Sequence, residues 1–563
     1  MALNRALYLL TAAATAHVLV RDRGGQGSFT NLGFFKAFIC AYFALSFLWL
    51  VYARYLVPKW LSPLLKLPQP KGGSWWNGHF WAIFSSGTAE VERRWMHEIP
   101  NDGFIYYQSI LNQQRLIVTS ERALQEICMK TDKFTKPTAI LGLAKKLLGL
   151  GLVLTEGEVH KKQRRAFLPI FAPRHVRDMY SIFWLKTCEV TQKLTQIIET
   201  ASPKGGNKEA VFEVGHWASR AALDIVTMAT LGEDFGAIED ENSRLAKTYR
   251  MALEPSRGYL ILAMLKLYFP EWLIDALPNR WNRNTREYVP IFRAVCRDLL
   301  RKRRRDAADK TLPAGKDLLS LCFHYEEVNH ADEEALIDQM TTFLAAGHET
   351  ISVGITWTIY MLCLHPEWQP ILRREARTHF PNPNDPGDSD VGSTDVEMMP
   401  MMQAFINEVL RWYPPIPETM RVPIQDMVID GQWVPKGVWM IIPIKGLHRD
   451  ERFWGPDANT FNPRRWLNPD GTFNATGGVS SKYASLSFMQ GSRSCVAQGF
   501  SKAEMACIMS AWVGSFEFEL VDPELHDEEK IKISKGSFSG RPVPGLFVKW
   551  RIANGWMDST ATF

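Results

Sequence analysis

The segment Phe488-Met489-Gln490-Gly491-Ser492-Arg493-Ser494-Cys495 carries the strongest chemical signal in the sequence. It sets a cysteine after a glycine turn, an arginine and an aromatic, just ahead of a helical run from Ala497 to Met509. Positive charge or a helix N-terminus lowers a thiol pKa, and Cys495 has both Arg493 and the start of that run. The pattern predicts an exposed thiolate site. The other seven cysteines (Cys40, Cys128, Cys188, Cys296, Cys322, Cys363 and Cys507) form no CxxC pair and no zinc spacing. They read as small buried hydrophobes in a reducing compartment. A second group is Ala346-Gly347-His348-Glu349-Thr350, which places a carboxylate and a hydroxyl in the middle of an apolar helical run. These could back-bond locally or face solvent. A glycine inside a helix costs about 1 kcal/mol relative to alanine, so Gly347 needs a reason. A third is Glu408-Val409-Leu410-Arg411. Residues three apart share a helix face, so the carboxylate can hold the guanidinium. On a surface that pair would be worth only about 0.5 kcal/mol.

Two tempting motifs fail. Gly149-Leu150-Gly151 opens like a dinucleotide fingerprint, but Leu154 occupies the third glycine position. His348-Glu349 opens like a zinc-protease HExxH, but Ser352 stands at the second ligand position. There is no P-loop and no GxSxG.

The FxxGxRxC spacing ending at Cys495 resembles the haem-ligating loop of cytochrome P-450 enzymes, in which the axial thiolate pushes electron density to iron and favours O–O cleavage. The other segments fall in the family's order. Glu408 and Arg411 match its ExxR, and Tyr413-Pro414-Pro415 ends that helix. Phe461-Asn462-Pro463-Arg464-Arg465-Trp466 resembles its PERF segment, which makes Arg465 the third member of an ion-paired core. Ala346 to Thr350 resembles its oxygen-activation motif. The resemblance implies that the helix distorts at Gly347 and that Glu349 and Thr350 carry protons to the distal oxygen. His160-Lys161-Lys162-Gln163-Arg164 resembles WxxxR with histidine for tryptophan, so that His160 and Arg164 meet haem propionates. Arg421 and Arg493 are two further propionate arginines by the same likeness, and Phe488 belongs to the haem loop. Ala497 stands where the family usually has glycine, which puts fine tuning of the helix against the porphyrin in doubt and not ligation.

The resemblance spans about residues 65 to 550 and is to microsomal monooxygenases of filamentous fungi. It implies haem b, dioxygen, a lipophilic small-molecule substrate, and electrons from an NADPH-cytochrome P-450 reductase in the same membrane, with NADPH used only through that reductase. The expected substrate is a bulky polyketide or terpenoid of secondary metabolism. The expected pocket segments are Ile140 to Leu152, Phe343 to Gly347 and Ser537 to Pro542. The alternatives are a fatty-acid hydroxylase, a non-oxygenating haem-thiolate enzyme, and a haem sensor or electron carrier.

Those residues must be held by a mainly α body with small β-sheets, the cytochrome P-450 fold, behind an N-terminal membrane anchor. The length of 563 residues would suit about three to four domains, but no repeat or composition break divides the body. Hydrophobic residues at 46% and charged residues at 22% exclude disorder, and a net charge of +5 is too weak for a nucleic-acid binder. Asp332 to Leu364 predicts one helix of about 48 Å running through the core. Strands are expected at Val428–Trp433, Trp439–Pro443, Glu517–Val521 and Leu546–Ile552. The run Arg301 to Arg305 reads as a solvated helix end rather than a nuclear signal. Ala37 to Ala53 is free of charge, with Trp49, Tyr52, Tyr55 and Trp60 at its far end, and reads as a spanning helix with an aromatic belt. Ala6 to Val20 is a short second segment, a signal anchor or a cleaved signal peptide. The Pro- and Gly-rich stretch after Leu61 sets the expected boundary: residues 1–60 anchor, residues 61–563 catalytic domain. An excess of one basic residue after the spanning helix leans weakly towards a body in the cytosol, and the endoplasmic reticulum is the membrane that the resemblance to microsomal enzymes implies.

Overall fold

The charge-free run near the N-terminus lies largely in helix α1 (Asn31–Val51), which continues as a π-helix over Tyr52–Leu61. Pro58 lies inside that wider turn, where a missing N–H is tolerated, and Ser62 N closes on Val57 O at 2.8 Å. From Phe34 to Lys66 this helix is long and apolar enough to cross a membrane. The computed structural model describes residues 11, 13–18, 31–201, 208–253, 262, 265–266, 269–309, 317–322, 332–387, 391–535, 539–553 and 555–556. Most of the first apolar stretch, Ala6 to Val20, and Ser537 of the C-terminal turn lie outside the described residues.

The body is helical, with small sheets at its edges. Its main helices are α2 (Gly157–Phe167), α3 (Tyr180–Ala201), α4 (Val214–Leu231), α5 (Arg244–Leu253), α6 (Arg280–Ala308), α7 (Glu333–Leu364), α8 (Trp368–His379), α9 (Pro400–Trp412) and α10 (Gln498–Ser515). The strands are β1 (Phe104–Gln108), β2 (Gln114–Val118), β3 (Phe134–Thr135), β4 (Glu209–Glu213), β5 (Thr419–Pro423), β6 (Met427–Ile429), β7 (Gln432–Val434), β8 (Trp439–Ile442), β9 (Phe516–Leu520), β10 (Lys532–Ile533), β11 (Pro542–Val543) and β12 (Phe547–Ile552). A five-stranded sheet has the order β1-β2-β8-β5-β3, and a second sheet is β4-β12-β9.

The long helix α7 forms as its sequence dictates. Asp332 caps it by accepting from Ala335 N, and Glu333 and Glu334 place negative charge on the positive end of its dipole. His365-Pro366 ends it, because proline disfavours helix in the residue before it. Helix α4 lies along α7, and α3 and α8 pack on α10, so the two helices flanking the site are core elements. The basic run Arg301 to Arg305 sits in the last turns of α6, with Arg301, Lys302 and Arg305 exposed as expected of a solvated helix end. Arg301 Nη2 reaches Glu333 Oε1 at 2.9 Å, docking α6 on the acidic start of α7.

One expected strand is corrected. Val428 to Trp433 is not a single strand but the hairpin β6–β7, turning at Asp430-Gly431 where both residues have positive φ. Asp-Gly is the residue pair that such a two-residue turn favours.

Candidate active site

The 488–495 loop folds back on itself through Cys495 N to Phe488 O at 2.8 Å and Ser494 N to Gly491 O at 3.1 Å. Gly491 has φ +74°, and a Cβ there would sit 2.5 Å from the Cys128 carbonyl oxygen, so only glycine fits the turn. Cys495 is exposed at the end of this loop, and of the other described cysteines only Cys40, on α1, is exposed.

The electrostatics differ from the expectation. The Cys495 thiol is accessible but recessed, and burial raises its pKa; the Ala497 N–H and the Arg164 charge pull it back only in part. The arginine beside the loop is Arg164 from α2, whose Nη1 donates to Ser494 O at 2.7 Å and Nη2 to Ser494 Oγ at 3.0 Å. The Arg493 guanidinium turns to Thr155 O at 2.8 Å and to the Glu156 carboxylate. A thiol in this setting becomes a thiolate when a metal binds it, since coordination deprotonates it outright. Ala497, where glycine was the family norm, has φ −97° and ψ 19°, a negative φ that does not require glycine.

Around this loop gather Lys136, Arg164, Arg421 and Arg493. Glu156 is the carboxylate that pairs with them, bonded to Lys136 Nζ at 3.2 Å and to Arg493. Burial lowers the pKa of each arginine and takes Lys136 down to about 8, with Glu156 opposing in part at Lys136. His160 is drawn down to about 3 by burial and by the charges of Arg493, Lys136 and Arg164, so it is a neutral imidazole. Buried Arg421 donates to Met420 O at 2.7 Å and Thr419 Oγ1 at 3.1 Å, a sparse set for five N–H groups. Four cations against one carboxylate leave an excess of positive charge that suits a dianionic group such as the two propionates of haem. The residues present fit that cofactor. Lys136 and Glu156 carried no signal in the sequence, since neither lies in a recognisable motif.

On α7, every residue from Ile351 to Cys363 is buried, yet Ala346 is exposed and Phe343, Ala345, Gly347, Glu349 and Thr350 are partly open. An opening in mid-helix, on a helix packed in the core, marks an internal space beside Ala346 to Thr350. Thr350 Oγ1 donates to Ala346 O at 2.8 Å, the local back-bond that the sequence left open, and its lone pairs remain available as acceptors. Glu349 Oε1 accepts from Ser539 Oγ at 2.5 Å. The expected distortion at Gly347 is not seen: α7 is continuous. The reason for the glycine lies on the facing helix, because a Cβ would approach Val226 Cγ2 of α4 at 3.1 Å. His348 points the other way, buried between Ser219 Oγ at 2.7 Å and the Tyr249 hydroxyl at 3.1 Å.

Two of the expected pocket segments reach α7. The turn at residues 539–540 meets it through Ser539 and through Trp357 Nε1 to Gly540 O at 2.7 Å. The 148–152 segment is pinned by Leu150 N to Asp338 Oδ2 at 2.6 Å and Leu152 N to Gln339 Oε1 at 3.0 Å. The failed Gly149-Leu150-Gly151 fingerprint is thus a loop crossing the first turns of α7. Phe343 packs edge-to-face on Phe167 and Phe171, with centroids 5.6 and 5.3 Å away.

Glu408 and Arg411 are the fully buried centre of a cage. Arg411 Nε and Nη2 bind its two oxygens at 2.8 and 2.7 Å, and Arg465 Nε reaches Oε1 at 3.2 Å. Asn462 N and Trp466 Nε1 add bonds of 2.7 and 2.9 Å. Arg411 also donates to the carbonyls of His448, Ala458 and Thr460, and Arg465 pairs with Asp457 at 2.9 Å. His448 then links the cage to the cysteine loop: Nδ1 bonds Arg411 O at 3.0 Å, and Nε2 accepts from Leu486 N at 2.8 Å. The motif spacing pointed to the three charges; Asp457, Trp466 and His448 were missed because their partners are distant in sequence.

Comparison with known proteins agrees with this geometry. A family model described as Cytochrome P-450 matches residues 68–544. The chain is 49% identical over 511 residues to the cytochrome P-450 monooxygenase buaD of Petromyces alliaceus, covering 90% of this chain and 92% of that protein. It is 35% identical to the cytochrome P-450 monooxygenase sphH of Aspergillus fumigatus, over 90% of this chain and 92% of the relative. It is also 35% identical to the cytochrome P-450 monooxygenase FUM15 of Gibberella moniliformis, over 94% and 95%.

Proposed function

The chain belongs to the cytochrome P-450 family and is a monooxygenase, and from that premise we propose that it oxidises a bulky lipophilic intermediate of fungal secondary metabolism, a polyketide or terpenoid. The observation that carries the assignment of the site is the pairing of an exposed cysteine with a cationic rim that Glu156 compensates only in part. When bound, haem supplies the activation of dioxygen by which one oxygen atom enters the substrate.

The protein's own part divides among named residues. Cys495 would hold the haem iron through its sulfur, and Phe488 is the aromatic at the start of its loop. Arg164, Arg421, Arg493 and the neutral His160 would hold the propionates, with Lys136 as a further cation. Glu408, Arg411 and Arg465 keep the support behind the loop rigid. Glu349 and Thr350 move protons: the Thr350 hydroxyl is oriented by Ala346 O, and Ser539 steadies the Glu349 carboxylate. Electrons come from an NADPH-cytochrome P-450 reductase. Residues 1–60 anchor the catalytic body, residues 61–563, to the endoplasmic reticulum membrane with that body in the cytosol, and a lipophilic substrate reaches it from the lipid. The non-oxygenating alternatives often lack the acid–alcohol pair, which this chain keeps at Glu349 and Thr350.

The test is coupling. Thr350→Ala, co-expressed with a reductase, should keep its haem spectrum while product formation per reductant falls about 10²-fold or more and peroxide rises. Unchanged coupling would speak for a non-oxygenating enzyme. Product profiling by mass spectrometry in the same strain tests the substrate class, and efficient chain-end hydroxylation of a fatty acid would replace the secondary-metabolite reading.

A further inference from the structure

A cleft of about 250 Å³ opens beside the start of the cysteine loop, between the end of α9, the 475–490 segment and the first turns of α10. It differs in kind from a substrate pocket. Its walls carry Lys482 and Lys502, the hydroxyls of Thr476, Ser480, Ser481, Ser485 and Ser487, and the amides of Asn407, Gln490 and Gln498. Among the described residues no aspartate or glutamate lines it. Lys482 is exposed, whereas Lys502 is drawn into the protein, with Nζ 2.7 Å from Asn407 Oδ1 and 5.7 Å from the Phe488 ring centroid.

Lys502 is unusual for a recessed lysine. Lys186 is answered by Glu189 at 2.6 Å, Lys136 by Glu156 at 3.2 Å, and Lys445 by Glu90. For Lys502 no ion pair with a carboxylate is found among the described residues, and burial alone lowers its pKa, to about 8. A recessed ammonium without a counter-charge is costly, and an arriving anion would relieve that cost. The side chains of Ser480, Ser481, Ser485 and Gln498 supply donors for an oxyanion's remaining lone pairs, whereas Thr476, Ser487, Gln490 and Asn407 already donate to Asn474, Leu410 O, Ser485 O and Gln403 O. The volume is below the roughly 300–1,000 Å³ of pockets for drug-sized ligands, which limits the occupant to something small.

We propose that this cleft is a binding site for a small oxyanion, a phosphate or a carboxylate, held by Lys502 at its inner end and Lys482 at its mouth. An anion there lies against Phe488, whose carbonyl accepts from Cys495 N at 2.8 Å, so the site adjoins the cysteine loop without belonging to the cationic rim.

The experiment is calorimetric titration of the purified, haem-loaded full chain in detergent with inorganic phosphate and with succinate, at constant ionic strength. Saturable one-to-one binding of either anion is expected, and the stronger binder identifies a phosphoryl or a carboxylate ligand. Lys502→Gln should weaken it about tenfold or more, as expected for losing one charge-assisted contact, and Lys482→Gln less. Lys482 is exposed, so its variant remains informative if Lys502→Gln does not fold, and Lys502→Arg should retain binding. Absence of saturable binding by both anions, or binding indifferent to both lysine substitutions, overturns the proposal. So does protection of these lysines from acetylation by the reductase alone, which would make the cleft a protein-docking surface.

Discussion

The Glu408 cage and the rim around Cys495 are built from the same side chains to opposite ends. In the cage, Glu408 and Asp457 answer Arg411 and Arg465 charge for charge, and the spare guanidinium protons go to backbone carbonyls. At the rim, Lys136, Arg164, Arg421 and Arg493 share one carboxylate, Glu156. Burying charge is tolerable when it is paired and hydrogen-bonded and costly when it is not. A balanced cluster therefore belongs to the architecture. An unbalanced one is shaped for a ligand that brings the missing charge. Substitutions should separate the two: in the cage they should cost folding, at the rim they should cost cofactor.

Cys495→Ala gives the largest expected effect at the rim side. The folded body should persist, because an exposed thiol contributes little packing. The thiolate-type carbon-monoxide difference spectrum should vanish completely, since a thiolate axial ligand produces it. A variant that kept that spectrum would remove Cys495 from the site.

Arg411→Ala should show the reverse. It takes the bidentate partner from the fully buried Glu408 carboxylate, leaving Arg465 at 3.2 Å to answer it, and breaking a buried pair costs about 3–5 kcal/mol. Such a loss is a large fraction of a typical stability, so little folded protein should be recovered, with or without added haem precursor. Normal yield of haem-loaded protein would mean that the cage is not structural.

The two regions were also unequally legible. The cage announced itself because Glu408 and Arg411 are three apart on one helix, a spacing that sequence displays directly. Its completion was hidden, because Trp466, Asp457 and the carbonyls at 448, 458 and 460 come together only through the fold. At the rim, Arg493 was legible as a residue and misassigned as a neighbour of the thiol, since sequence proximity to Cys495 does not set the direction of a side chain. The oddity of Gly347 was visible; its cause, Val226 on α4, was not. Asp430-Gly431 was a legible turn within what was read as one strand. Long, strongly periodic elements such as α7 came through nearly to the residue.

Acid should attack the cage and the core behind α7. Burial depresses the imidazole of His448 to about 3 and that of His348 to about 4, so both are neutral in the folded protein. In the unfolded chain a histidine takes up a proton below about pH 6.5. Protonation then favours the unfolded state, so stability present above pH 6.5 is lost as pH falls towards 4, by up to about 1.4 kcal/mol per pH unit for each histidine. Denaturant midpoints at pH 7, 6 and 5 should fall in step. Equal midpoints across that range would show that these imidazoles are not held neutral.

Arg421→Gln is the smallest and sharpest test of the contrast. Arg421 is buried among cations, with Glu156 as the nearby carboxylate and, among the described residues, hydrogen bonds to Thr419 and Met420. Removing its charge relieves repulsion from Arg493 and desolvation of the guanidinium, while glutamine keeps a donor for the Met420 carbonyl. Stability of the haem-free chain should therefore stay within about 1 kcal/mol of the parent, unlike any substitution at Glu408 or Arg411. Haem retention should suffer instead, because one charge-assisted bond to a propionate is lost, worth about tenfold in affinity. Haem transfer to apomyoglobin measures that loss directly, and denaturation of the haem-free protein measures the stability. If the variant unfolds easily and holds haem as tightly as the parent, the rim is architecture as well, and charge imbalance does not mark the cofactor site.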